Sequence, residues 1–111
     1  MNRLPMSAAG SALLRALLGR ARVDRNRILL TNMRSVDWQS LTFNGERHRI
    51  ELRIPGPNSR EVADRMTDRL EDAEFSIPNV LVADIGTVSG PSMALDGSTS
   101  IAIEALTIAD D

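Results

Sequence analysis

The sequence predicts an α+β fold, an antiparallel or mixed sheet in α-β-β-α-β-β order with its helices packed on the sheet. Three observations carry this expectation. Residues 47–54 alternate cleanly, with His48, Ile50, Leu52 and Ile54 between charged residues, the mark of a half-buried strand. Two segments, one near the N-terminus and one mid-chain, repeat apolar residues at helical spacing. Two turn pairs, Asn44-Gly45 and Asp96-Gly97, sit between apolar runs as hairpin connections do. At 111 residues the chain has the length of a single domain, 1–111, with one core.

The N-terminal segment, 1–22, is expected to form a helix over about 6–20. Leu13, Leu14, Leu17 and Leu18 mark its apolar face, and Arg15, Arg20 and Arg22 are directed outward. Ser7 or Ser11 is the expected cap and Gly19 the expected exit. Arg15 interrupts the leucines, so the stretch reads as a structural helix rather than a secretory signal. No segment has the length of a membrane span.

The first strands fall within 27–54. Arg27–Thr31 is a β-type run that continues toward Val36 and Trp38. The connection is expected over Gln39–Glu46, with Asn44-Gly45 as its turn. In the next strand His48, Ile50, Leu52 and Ile54 face one way, and Arg47, Arg49, Glu51 and Arg53 the other. Pro55-Gly56-Pro57 ends it.

An amphipathic helix is expected over 58–74. It starts at Asn58 or Ser59, and Asn58 with Glu61 has the spacing of a capping box. Val62, Ala63, Met66, Leu70 and Ala73 form its buried stripe. Glu61 and Arg65 are spaced to pair, and Asp64, Asp68 and Asp72 fall along one line.

The C-terminal hairpin spans 79–109. Val80–Val88 is apolar enough for a central strand, Ser89–Leu95 reads as a loop, and Asp96-Gly97 as a turn. In the closing strand, Ser100–Ile108, Ile101 and Ile103 point one way, but Leu106 and Ile108 the other. A bulge or burial on both faces explains that switch.

Composition narrows the function. The chain has no Cys, no Lys and no Tyr, and one His. Disulfides and thiolate metal sites are excluded, and so is the Lys-containing phosphate loop. His48 lies on the apolar strand face, where a hydrogen-bonded structural residue is expected. The acids Asp64, Asp68 and Asp72 read as a solvated face rather than a metal site. No catalytic, cofactor-binding or metal-binding residues are expected, and no enzyme.

Charge is the most telling feature. Residues 1–56 hold ten Arg against four acids, a balance of +6, while 57–111 hold three Arg against eleven acids, a balance of −8. Opposite-signed surfaces of this kind orient protein partners. Arg47, Arg49 and Arg53 form a basic stripe on one strand face. They lack the aromatic platforms of single-strand nucleic-acid readers, so an acidic protein surface is the expected partner. Asp64 and Asp68 supply the opposite sign, and Met93 and Leu95 are expected as an apolar knob on the last hairpin.

The ordered set Asp37-Trp38-Gln39-Ser40, then Gly45, His48, Ile50 and Leu52, then the helix with Val62, Met66 and Leu70, then Asp96-Gly97, resembles the tail terminator (tail completion) proteins of long-tailed phages and gene transfer agents. The resemblance covers residues 10–109 and implies a structural particle protein without catalysis. It implies a hexameric ring of the chain itself that caps the tail tube protein, stops its growth and joins the head-side connector. It further implies assembly in the bacterial cytoplasm and a place in the particle neck. A ring needs a heterologous interface, which the divided charge suits. The two axial surfaces are expected on the loops 39–45 and 89–97. The alternative is a stand-alone α+β ligand-binding or regulatory domain, which shares this element order.

Overall fold

Ser7 opens the first helix by accepting a hydrogen bond from the Gly10 amide at 3.0 Å, as an N-cap side chain does. The computed structural model describes residues 6–110, so the opening of the 1–22 segment and Asp111 lie outside the described residues. Helix α1 runs Ala8–Arg20, with Leu13 and Leu17 fully buried. Its exit differs from expectation. Gly19 stays inside the helix, and Arg22 takes the left-handed conformation beyond it, at φ 57°. Arg20 turns inward rather than outward: its guanidinium donates to the Met66 and Asp68 carbonyls.

A 3-10 turn, Arg25–Arg27, leads to the sheet. The strands are β1 (Leu29–Gln39), β2 (Asn44–Ile54), β3 (Val80–Met93) and β4 (Thr99–Ala109). Helix α2 (Ser59–Thr67) lies between β2 and β3 in the chain. The fold is α+β, with two α-helices on a four-stranded, wholly antiparallel sheet in the spatial order β1-β2-β4-β3. Two hairpins therefore lie side by side, joined where β2 pairs with β4.

The helices cover one face of this sheet. His48, Ile50, Leu52 and Ile54 of β2 are buried there, as the alternation predicts. Thr99, Ile101, Ile103, Ala105 and Thr107 of β4 join them, with Met33 and Ile85 from the outer strands. These residues and the α1 and α2 stripes make one core.

Several expectations are corrected. Asn44-Gly45 is not the turn; both residues belong to β2. The connection is Ser40–Phe43, closed by Ser40 Oγ accepting from the Phe43 amide at 3.0 Å. Gly45 serves packing instead, since a Cβ there would lie 2.0 Å from the Thr107 carbonyl oxygen. Asn58 makes no side-chain cap and sits at φ 61°. The adjacent Ser59 hydroxyl donates to the Gly97 carbonyl at 2.6 Å, tying the helix start to the last hairpin.

The 58–74 helix is also broken. Asp68 is extended and Arg69 left-handed, and a 3-10 turn, Leu70–Asp72, follows. The break is sustained because Arg20 takes up freed carbonyls of Met66 and Asp68 while Leu70 remains fully buried. It also ends the line of Asp64, Asp68 and Asp72. Arg65 donates to the Ala21 carbonyl at 2.9 Å rather than pairing with Glu61, and the pair one turn apart is Arg60–Asp64.

In the last third, β3, expected as a central strand, is an edge strand, and the closing strand β4 is central. The 89–95 loop is mostly strand, because β3 continues through Met93 with irregular register. Gly90 permits this at φ 84°, where a Cβ would lie 2.4 Å from the Ser100 carbonyl oxygen. The Asp96-Gly97 turn is present, with Gly97 at φ 86°. The bulges lie in β3, not β4, so the switch at Leu106 reflects partial burial on both faces.

Candidate interaction surfaces

Directly opposed residues in antiparallel strands project to the same side. The pairing register therefore defines the uncovered face row by row. One end row is Trp38, Gly45, Ile108 and Leu81 across β1, β2, β4 and β3. The next is Val36, Arg47, Leu106 and Asp84, and the third Arg34, Arg49, Glu104 and Gly86. Glu51 and Arg53 of β2 continue it.

Arg47, Arg49 and Arg53 thus share the uncovered face, as the alternation predicts. Two of them are engaged within the chain. Arg49 donates to Glu51 at 3.0 Å and Glu104 at 2.7 Å, which raises its pKa and holds that of Glu51 below the usual carboxylate range. Arg53 pairs with Asp96 at 2.7 Å. The Ser98 hydroxyl and amide also donate to Asp96, and chiefly through them its pKa is lowered to about 2. Arg47 has no ion-pair partner among the described residues.

Asp64 lies on the solvent side of α2, paired with Arg60 at 3.0 Å, and Asp68 lies just past the helix end. The acids and the arginine stripe are therefore not brought together. They belong to the two opposite layers, helices and open sheet.

Met93 is 58% exposed and Leu95 fully exposed on the β3–β4 tip. Leu41 and Phe43 are exposed on the β1–β2 tip. The tips lie at opposite ends of the sheet, because Gln39 meets Asn44 at one end and Ile54 meets Thr99 at the other.

His48 is buried, with Nδ1 2.7 Å from Ser35 Oγ and Nε2 2.8 Å from Thr107 Oγ1. Burial lowers its pKa, against a smaller opposing effect of Glu46. Both ring nitrogens are occupied by hydroxyls, the arrangement of a structural cross-strand link. Among the described residues, no group of three or more His, Cys, Asp or Glu is placed to hold a metal ion. No helix among them is long and apolar enough to cross a membrane.

Sequence reasoning missed the apolar end of the open face: Trp38, Val36, Ile108, Leu106 and Leu81. The signal was present in the two-residue spacings 36/38 and 106/108, but only the strand order brings them together. Strand order also converts the divided charge into geometry. The basic half (α1, β1, β2) occupies one side of the sheet and the acidic half (α2, β3, β4) the other. No protein-family model matches the chain, and neither a curated protein nor a solved structure matches it.

Proposed function

We propose that this chain is a structural assembly protein that closes into a ring, acting as a tail terminator: a hexamer that caps a tail tube and joins it to a head-side connector. The observation that carries this reading is the placement of four distinct surfaces. The two charge halves form opposite flanks of the sheet. The two exposed apolar tips, Leu41 with Phe43 and Met93 with Leu95, lie at opposite strand ends.

A ring built from identical copies needs two different lateral surfaces, each meeting the other on the next copy. Arg15, Arg22 and Arg25 on the basic flank are exposed, and so are Asp64, Asp68, Glu71 and Asp72 on the acidic side. A cap seated between a tube and a connector needs two axial surfaces. The tips supply exposed apolar groups for them, with Met93 and Leu95 facing one partner and Leu41 and Phe43 the other. The resemblance in residues 10–109 supplies the identity of the partners, and the assembled ring is assigned to the particle neck.

Reversing one flank tests the reading. The triple variant Arg15→Glu, Arg22→Glu, Arg25→Glu is expected to stay folded by circular dichroism and to lose rings. The double variant Asp64→Arg, Asp68→Arg is expected to do the same. Normal ring formation by both would overturn the charge-driven closure.

A further inference from the structure

The open face of the sheet has a pattern that neither flank nor tip accounts for. Its end row is apolar across all four strands: Trp38, Gly45, Ile108 and Leu81. Val36 and Leu106 extend it. Leu81 is 57% and Val36 41% exposed, so apolar surface faces water there. Signs are segregated beside it. Arg34, Arg47, Arg49 and Arg53 stand on β1 and β2, and Glu104 and Asp84 on β4 and β3, with Glu51 the one acid on the basic side.

We infer that this face is a self-complementary docking surface for a second copy of the chain, packed sheet on sheet. The symmetry follows from the pattern. A two-fold axis parallel to the strands, between β2 and β4, keeps each row opposite the same row of the second copy. It sets β2 over β4 and β1 over β3. Apolar row meets apolar row, with Ile108 of each copy set over Gly45 of the other. Arg49 of each copy meets Glu104 of the other. A two-fold axis across the strands would set arginines over arginines and the apolar row over the far, polar end. Like-charge juxtaposition disfavours it. Sheets packed face to face in the favoured way lie about 10 Å apart with strands roughly aligned, within reach of Arg and Glu side chains.

The second copy is favoured over a different acidic partner because the face carries both signs and an apolar row in register with itself. This inference does not rest on the ring reading. The two contacts use different side chains: reversing a flank is expected to remove rings and leave the pair, and Arg49→Glu to remove the pair and leave rings.

Two variants test it by native mass spectrometry and sedimentation. In Arg49→Glu, the introduced carboxylate of each copy would stand against Glu104 of the other. In Glu104→Arg, the introduced guanidinium of each copy would stand against Arg49 of the other. Each variant alone is expected to dissociate roughly tenfold more readily than the natural chain. Mixed together, the two variants bring opposite charges face to face again, so the heterodimer is expected to return to natural strength. Neither site is buried, so both variants are expected to fold, which circular dichroism checks. Ile108→Asp is expected to abolish the dimer and to block rescue when placed in either variant. A mixture that pairs no better than its components would overturn the proposal. So would a natural chain that stays single at high concentration, or single variants that dimerise unchanged.

Discussion

Ser35 on β1 and His48 on β2 share a hydrogen bond of 2.7 Å beneath α1, whose Gly10 would bring a Cβ within 2.9 Å of the same Ser35 hydroxyl. The other imidazole nitrogen reaches Thr107 of β4 at 2.8 Å. One buried side chain therefore links three strands across the seam between the two hairpins. Thr107→Val removes a partner from a buried ring nitrogen without changing volume much. It is expected to cost about 1–3 kcal/mol in urea unfolding, the usual penalty for an unsatisfied buried polar atom.

The same residue sets a pH dependence. Its pKa is lowered from 6.5 by burial, so below pH 6.5 the unfolded chain holds more protons than the folded one. Stability is then expected to fall as pH drops through 6.5 and to level off below the folded-state pKa. His48→Gln removes this segment of the profile. Urea midpoints compared between neutral and mildly acidic buffer check it, and equal slopes in both proteins would refute it.

Two glycines should respond in opposite directions. At Gly45 a Cβ would lie 2.0 Å from a backbone oxygen of β4, so Gly45→Ala must force β2 and β4 apart. A cost of about 2 kcal/mol or more is expected. At Gly19, inside α1, a Cβ meets nothing within 4 Å. Gly19→Ala is expected to stabilise by about 0.5–1 kcal/mol through helix propensity. Thermal midpoints of the two variants give the comparison.

Asp96 should contribute to acid resistance. Its pKa is lowered from 3.8 to about 2 by the Ser98 hydroxyl and amide, with Arg53 adding to the effect. The linked stability is present above pH 3.8 and lost as pH falls through 2. Asp96→Asn should therefore unfold with a shallower pH dependence across that interval. An unchanged acid titration would remove Asp96 as a contributor.

The parts of this fold that were legible are those written in local pattern. The alternation at 47–54 placed His48, Ile50, Leu52 and Ile54 in the core, and Asp96-Gly97 marked its turn. What escaped depended on long-range contact. Asn44-Gly45 carries a hairpin signal, but Gly45 is needed where β2 crosses close to Thr107, and Ser40 closes the turn instead. The periodicity of 58–74 continues through a real break, because Leu70 is buried from a 3-10 turn as well as from a helix. The surfaces were divided likewise. The arginine stripe was visible, but its partners Glu104 and Asp96 arrive from 43 or more residues away, and the apolar row exists only through strand order.

The most direct measurement is native mass spectrometry with negative-stain imaging of the chain, over a concentration series at low and high salt. Closed rings of about six subunits, alone or docked to further copies through the open face, are expected, with a population that falls as salt screens the flanks. Nothing larger than two subunits at any concentration or salt would contradict the ring.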